Sequence, residues 1–389
     1  MLNRVLFVED DSLSRQYCEG LSSVLGRDYE VITVPDGRSA LDNLAKFSAD
    51  VVVSDLEMSE MSGPEFLTTV ERLYPETTRL VISSHTEQLA VARCLMYGHR
   101  YLQKPLDPDF PQVLKRICRL KHAVRNEKLA KIIGGTSALP TPPETYLRLT
   151  EALQSPMTSL ADLAEIIRAD LALTTKLLQI VNSAQFGSGR KITTVFDAVQ
   201  MTGISVLQGL MLGIQAIKQH DGKRLQSLAL PALWNHSLEI AVAVRKLAQT
   251  EGLDFSDCEE FFVGGLLHDM GKLILASHAD LDYCKVMQRA AGQTLPLYCL
   301  EQEQFGATHS DVGAYLLGLW GLPESIVSSV QTHHTLENVE PGVFSVVVAI
   351  YAAHCLGKSP HPFNKARRKE LADHGFEERF GEWSAVLAN

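Results

Sequence analysis

Two groups of side chains in this sequence have the types and spacing to do phosphate chemistry. The first is acidic: Glu9, Asp10 and Asp11 close one apolar run, Asp55 closes another, Ser83 and Ser84 close a third, and Lys104-Pro105 follows a fourth. Carboxylates gathered at one point repel, by about 4 kcal/mol for two charges roughly 4 Å apart at a surface-like dielectric, so the set calls for a hard cation such as Mg²⁺. A carboxylate at Asp55 would then accept a phosphoryl group, with the cation and Lys104 offsetting its charge and the Ser83 hydroxyl bonding the new oxygens. Single acids at strand ends are ordinarily solvated surface groups; it is their joint placement that carries the reading.

The second group is rich in imidazole. GGLLHDMGKL (264–273) puts His268 and Asp269 beside Lys272, one helical turn on, while His236 lies in LWNHS, His309 in ATHSDVGAYLL and His333-His334 in SVQTHHT. Imidazole with carboxylate suits Zn, Fe, Mn or Ni, and a neighbouring His-Asp pair can bridge two ions beside a phosphate ester. Lys272 would stabilise the phosphoryl charge. The blander alternative is a set of core histidines bonded to backbone carbonyls.

The elements that must position these residues come in two kinds. Up to residue 122, β-branched runs at 4–8, 29–34, 50–55, 79–83 and 100–104 alternate with helical-length segments at 12–25, 37–47, 64–73 and 86–97. That alternation predicts an α/β domain with a doubly wound, five-stranded parallel sheet, whose ligands gather at the carboxyl ends of the strands. A helix over 110–133, with Val113, Ile117, Leu120 and Val124 near heptad spacing, is expected to run on into a connector at 123–135. Its two heptads fit a packed helix and a dimerising one equally.

GGTSALPTPPET (134–145) then breaks the pattern, and from 136 to 356 the period is helical: 146–154, 159–168, 170–182, 194–200, 203–219, 231–250, 256–268, 309–319, 323–333 and 343–356. Ser159 and Ser256 are candidate caps. This predicts an all-α domain, followed by a more polar tail at 357–389 that forms a short closing helix or stays partly mobile.

With 389 residues, 46% of them hydrophobic, the chain can bury more than one core. Its net charge of −10 argues against an electrostatic grip on nucleic acid or anionic lipid. The start MLNRVLFVEDD has no signal-peptide hydrophobic region and no apolar run reaches the roughly 18 residues of a membrane span, so a cytoplasmic location is expected. Seven scattered cysteines with no CxxC spacing suggest reduced thiols, neither a disulfide framework nor a thiolate zinc site.

Residues 1–122 resemble a two-component response-regulator receiver domain. VLFVEDD is similar to the family's first-strand motif, DVVVSDLEMSEMSG to its phosphoacceptor strand and loop, and RYLQKPLD to its lysine-proline loop. The resemblance implies Glu9 and Asp10 as the acid pair, Asp55 as the phosphorylated residue and the Glu57 carbonyl completing a Mg²⁺ shell. It further implies Ser83 and Tyr101 as switch residues and Lys104 as the family's lysine; Asp11 falls just outside the pair. One departure is the GHR connection before Tyr101, a residue short, which bears on the shape of the signalling face.

The order His236, His268-Asp269, Lys272, His309, His333-His334 resembles the HD superfamily of metal-dependent phosphohydrolases. More closely, IRADLALTTKLLQIVNSAQFGSGRKITTVFDAVQMTGI with LWNHS, GLLHDMGKL, ATHSDVGAYLLGLWGLP and HH resembles an HDOD output domain over 136–356. HDOD domains are generally regulatory. Two features depart from the catalytic HD pattern: His354 stands where an Asp ligand is expected, and HHTLENVEPGVF replaces the GYP-bearing loop of cyclic-di-GMP phosphodiesterases. Imidazole for carboxylate removes one negative charge from a site that must offset two divalent ions, so dinuclear occupancy should weaken; His354 could still serve one ion.

These readings favour a phosphorylation-controlled regulator whose output domain binds another protein without catalysis. Phosphorylation would draw Ser83 and Tyr101 inward and pass a change through 110–133. The implied partners are a sensor histidine kinase or phosphotransfer protein and a downstream protein, a cyclic-dinucleotide enzyme among the candidates, with homodimerisation left open. The alternative is a metal-dependent phosphohydrolase or cyclic-dinucleotide phosphodiesterase under receiver control. Direct DNA binding is not expected, because LADLAEIIRADLALTTKLLQIVNS mixes acids and bases where a basic recognition helix is needed.

Overall fold

The computed structural model describes residues 2–84, 98–124, 126–136, 148–149, 152–153, 155, 157–182, 191–202, 207, 230–277, 283–291, 295–356 and 364–388. The expected helix at 86–97, nearly all of that at 203–219 and most of that at 146–154 lie outside them. The N-terminal part alternates β1 (Asn3–Val8), α1 (Ser12–Leu25), β2 (Tyr29–Val34), α2 (Gly37–Leu44), β3 (Val51–Asp55), α3 (Gly63–Leu73), β4 (Thr78–Ser83), β5 (Arg100–Gln103) and α4 (Phe110–Ala123). The strands are all parallel, in the order β2-β1-β3-β4-β5. β1, β3 and β4 are almost wholly buried, which is why they read as unbroken β-branched runs.

Register positions the chemistry. Val8 pairs with Ser54, Asp55 with Ile82 and Ser83 with Gln103, so Glu9, Asp55, Ser83 and Lys104 fall in one row at the carboxyl edge. No side chain had to be reoriented to bring them there; parallel pairing and strand length suffice.

The helix expected over 110–133 is interrupted. α4 ends at Ala123, and α5 (Glu127–Gly134) starts afresh because the Asn126 side chain accepts from Lys128 N at 2.9 Å and Leu129 N at 3.3 Å, a local bond that competes with helix continuation. The connector is therefore a jointed element.

The helical part contains α6 (Leu160–Arg168), α7 (Leu171–Val181), α8 (Leu230–Thr250), α9 (Phe255–Leu267), α10 (Met270–Ser277), α11 (Tyr283–Ala291), α12 (Leu297–Phe305), α13 (His309–Leu319), α14 (Glu324–Thr332) and α15 (Val346–Leu356). Ser159 closes a capping box with Asp162. Ser256 is not a cap: Asp254 accepts from Asp257 N at 2.9 Å and starts α9 one residue earlier. α10, α11 and α12 have no counterpart in the sequence reading. The tail is not a loose end either, since it forms α16 (Asn364–Asp373) and α17 (Phe380–Ala388).

One core runs from the sheet through α4 and α5 into α7, α9, α10, α13 and α14. A second is built by α8, α15 and the tail around Trp383, whose indole N–H donates to Glu251 at 2.8 Å. Trp383 is fully buried, so Trp383→Ala opens a cavity and should cost about 3–5 kcal/mol, read as a lower urea midpoint for the C-terminal part.

Candidate functional site

At the carboxyl edge of the sheet Glu9 is fully buried and Asp55 nearly so. Lys104 reaches between them: its Nζ lies 2.6 Å from Glu9 Oε2 and donates to Asp55 Oδ2. Burial pushes the Glu9 carboxyl up, with Lys104 pulling against it. Burial also works against the ammonium of Lys104, but the hydrogen bonds it donates to Asp55 and Glu9 outweigh that and hold the group above its ordinary value. The ligand atoms of Glu9, Asp10 and Asp55 lie within 4.8 Å of one another, an oxygen set that suits a hard divalent cation. Asp11 is otherwise engaged, capping α1 by accepting from Ser14 N at 2.7 Å. Glu57 N–H donates to Asp55 Oδ1 at 3.2 Å, fixing the loop that carries the Glu57 carbonyl. A cavity of about 240 Å³ opens beside the cluster, lined by Glu9, Lys104, Ser14, Tyr17 and Leu106.

Ser83 and Tyr101 are both buried, and the Tyr101 hydroxyl donates to the Ser83 carbonyl at 3.3 Å. The ring expected to move inward on phosphorylation is thus already inside. The short GHR connection helps hold it there. His99 N–H donates to Arg79 O at 2.8 Å and the His99 ring accepts from Arg79 N at 3.0 Å, so β5 is pinned to β4 immediately before Tyr101.

The imidazole set converges as well. His236 from α8, His268 and Asp269 from the α9–α10 junction, His309 from α13, His333 and His334 from the end of α14, and His354 from α15 face one pocket. Asp269 is central. Its Oδ2 lies 3.3 Å from His268 Nε2 and 3.7 Å from His236 Nε2, its Oδ1 3.3 Å from His309 Nε2 and 3.7 Å from His333 Nε2, and Lys272 Nζ sits 2.6 Å from Oδ2. The ligand nitrogens of His236, His268 and His354 lie within 4.8 Å of one another, and so do those of His309, His333 and His334.

The tautomers favour metal. His268, His333 and His354 each place Nδ1 at 2.7–2.9 Å from a backbone carbonyl of the preceding turn, which fixes the proton there and turns an Nε2 lone pair into the pocket. His268 Nε2, His333 Nε2 and Asp269 Oδ1 are buried with no hydrogen-bond partner among the described residues. The donor set fits a borderline cation. Burial drives the imidazoles of His333, His334 and His354 well below the ordinary value and lowers that of His236. Asp269 is held well below the usual carboxylate range, its burial outweighed by His268 and Lys272.

Glu301 was not legible in the sequence. It is fully buried on α12, 2.6 Å from His309 Nδ1 and from the Tyr283 hydroxyl, and accepts from His309 N at 2.8 Å. Burial lowers the His309 pKa, but Glu301 outweighs it and the net shift is upward. The one signal was an acid eight residues before His309, in a stretch without apolar periodicity.

A parallel sheet with this acid pocket defines a receiver, and the pocket of imidazoles belongs to an HD-like helical domain. Sequence comparison agrees: the response regulator receiver domain family matches residues 5–116 and the HDOD domain family residues 139–336. The chain is a response regulator with a C-terminal HDOD domain, and it belongs to the HDOD family. Receiver domains of this family typically bind Mg²⁺ and take their phosphoryl group from a kinase partner. An uncharacterized protein of Treponema pallidum (strain Nichols) is 28% identical over 240 residues, 60% of this chain and 45% of that one. The Regulator of RpoS of Escherichia coli (strain K12) is 24% identical over 257 residues, 61% of this chain and 73% of that one. The chain spans less than half the length of the first curated relatives it matches. A virulence factor of Campylobacter jejuni shares the fold at 21% identity and TM-score 0.50, over 67% of this chain and 97% of that one. No described helix is long and apolar enough to cross a membrane.

Gly271 explains part of the GGLLHDMGKL signature. A Cβ there would lie 1.8 Å from the His309 carbonyl oxygen, so α10 and α13 touch through backbone and bring Asp269 to His309. Gly271→Ala should lower the thermal midpoint sharply, whereas Gly20→Ala, whose Cβ meets nothing within 4 Å, should leave it unchanged or raise it. Glu301→Gln should cost about 1–3 kcal/mol in chemical denaturation, because it removes a charged acceptor from His309.

Proposed function

We propose that this chain is switched by phosphorylation of Asp55 and that its HDOD domain signals by binding another protein without turning over a substrate. The receiver is taken as residues 1–122, the connector as 123–135, the output domain as 136–356 and the tail as 357–389. Glu9, Asp10, Asp55 and the Glu57 carbonyl would hold Mg²⁺, which supplies charge neutralisation. The Asp55 carboxylate attacks the phosphorus of a donor phosphohistidine; a P–O bond forms, the P–N bond breaks and the imidazole keeps the leaving electron pair. Lys104, already bonded to Asp55, follows the new charge, and the Ser83 hydroxyl donates to it.

One observation carries the non-catalytic reading of the output. Among the described residues, a cavity that reaches Asp269, lined by Leu171, Leu233, Ser237, Met270 and Leu273, measures about 10 Å³. That is room for about one water, against roughly 300–1,000 Å³ for a small-molecule pocket. The name of the Escherichia coli relative, Regulator of RpoS, fits a regulatory output.

A second reading is favoured by the inward lone pairs of His268 and His333: the pocket holds Fe, Mn, Zn or Ni for phosphate-ester hydrolysis. His236, His268 and His354 would serve one ion, His309, His333 and His334 another, with Asp269 between them and Lys272 near the phosphate. His354 adds no charge, which weakens the pair of ions. Metal can thus be present without turnover.

Acetyl phosphate with Mg²⁺ should label the wild-type chain at one site and fail on Asp55→Asn, read by intact mass. Phosphoryl-mimic treatment of the full-length chain with beryllium fluoride should change its affinity for a captured partner at least several-fold; equal affinities sink receiver control. Elemental analysis with assays on nucleotides and cyclic dinucleotides decides the output. Turnover lost in His268→Ala would replace the protein-binding reading with the hydrolytic one.

A further inference from the structure

The two domains meet along a seam formed by β4, β5 and α4 on one side and by α7, α13 and the start of α14 on the other. Several polar contacts between described residues hold it. Thr78 Oγ1 lies 3.3 Å from the Tyr315 hydroxyl, and Gln179 Nε2 donates to the His99 carbonyl at 2.7 Å. His99 Nε2 donates to the Gly134 carbonyl at 2.7 Å, tying β5 to the end of the connector, and Arg116 Nε lies 2.6 Å from Glu324 Oε2.

Arg100 is the exception. It is 8% exposed, and its Nε is buried with no hydrogen-bond partner among the described residues. The guanidinium lies against Gly321, where a Cβ would come within 3.0 Å of Nε and 3.2 Å of Cζ, and Gly321 has a φ of +76°. Its charged neighbours are Arg116 and Lys191, both of its own sign. Glu324, an acid at the seam, is engaged by Arg116 at 2.6 Å and Arg119 at 3.6 Å. Burial, with Arg116 adding to it, brings the Arg100 guanidinium down to about 10.

A buried cation without a counter-charge is costly, and removing it to water recovers that cost. We infer that Arg100 keeps the seam poised to open: the polar contacts and the shared core close it, the unpaired guanidinium works against closure, and the open state returns Arg100 to solvent. The position of Arg100 links this to the switch. It directly precedes Tyr101, and β5 ends one residue before Lys104, which bonds Asp55. Movement of Lys104 toward a new phosphoryl group therefore pulls on the strand that carries Arg100. This coupling rests on Asp55 being the phosphoacceptor; the poise of the seam does not.

The test is hydrogen exchange on the full-length chain, comparing wild type, Arg100→Met and Glu324→Ala, each with and without beryllium fluoride and Mg²⁺. Methionine keeps the length and removes the charge, so amides in 113–123 and 312–319 should gain at least tenfold protection, while Glu324→Ala should lose protection there. Beryllium fluoride should deprotect these amides in wild type and do so less in Arg100→Met. Unchanged or reduced protection in Arg100→Met would overturn the inference. Wild-type tightening by added inorganic phosphate, absent in Arg100→Met, would also overturn it, since an anion would then be the missing partner. Tightening by Arg100→Met with no response to beryllium fluoride would uphold the poised seam and overturn control through Asp55.

Discussion

One ammonium group stands between two buried carboxylates at the sheet's edge, and much of the receiver serves to keep it there. Without Lys104, Glu9 and Asp55 would repel in a medium that screens poorly, and the edge would need a cation at all times. With it, the two carboxylates have a fixed counter-charge between them. Parallel register does the rest, since four strands of fixed length deliver the acids, the hydroxyl and the lysine to one row.

The output pocket inverts that electrostatic arrangement. Asp269 sits amid the imidazoles, of which burial keeps His333, His334 and His354 neutral, with Lys272 as its nearest cation and Glu301 behind His309. The same physics, burial penalising charge, yields an acid cluster that wants a hard ion and an imidazole cluster that suits a softer one. Between them the seam joins the two through a shared core and a few directed bonds, so the chain behaves as coupled parts rather than as beads on a linker.

Much of this was legible in the residues. β-branched runs ending in acids gave the sheet and its pocket, because buried parallel strands leave little choice of residue. Helical periodicity placed α6, α7, α8, α9, α13, α14 and α15, along with the histidines they carry. What failed was local competition and long-range contact. Asn126 broke a helix that periodicity alone continues, and Asp254 took the capping role expected of Ser256. α11 and α12 carry mixed polar sequence, so Glu301, which reaches His309 only in the folded chain, had no periodic signal to announce it. Arg100 likewise read as an ordinary strand residue, because nothing in its neighbourhood reveals that a second domain covers it.

The close approach of Gly271 to the His309 backbone separates two kinds of selection on the same motif. A β-carbon at that position is excluded by packing between α10 and α13, whatever the pocket does for a living. The glycine of a His-Asp-x-Gly-Lys signature would therefore survive the loss of hydrolysis, retained as a joint in the scaffold. That glycine therefore reports packing, and the ligand at the far side of the pocket, here His354, is the more telling position to read.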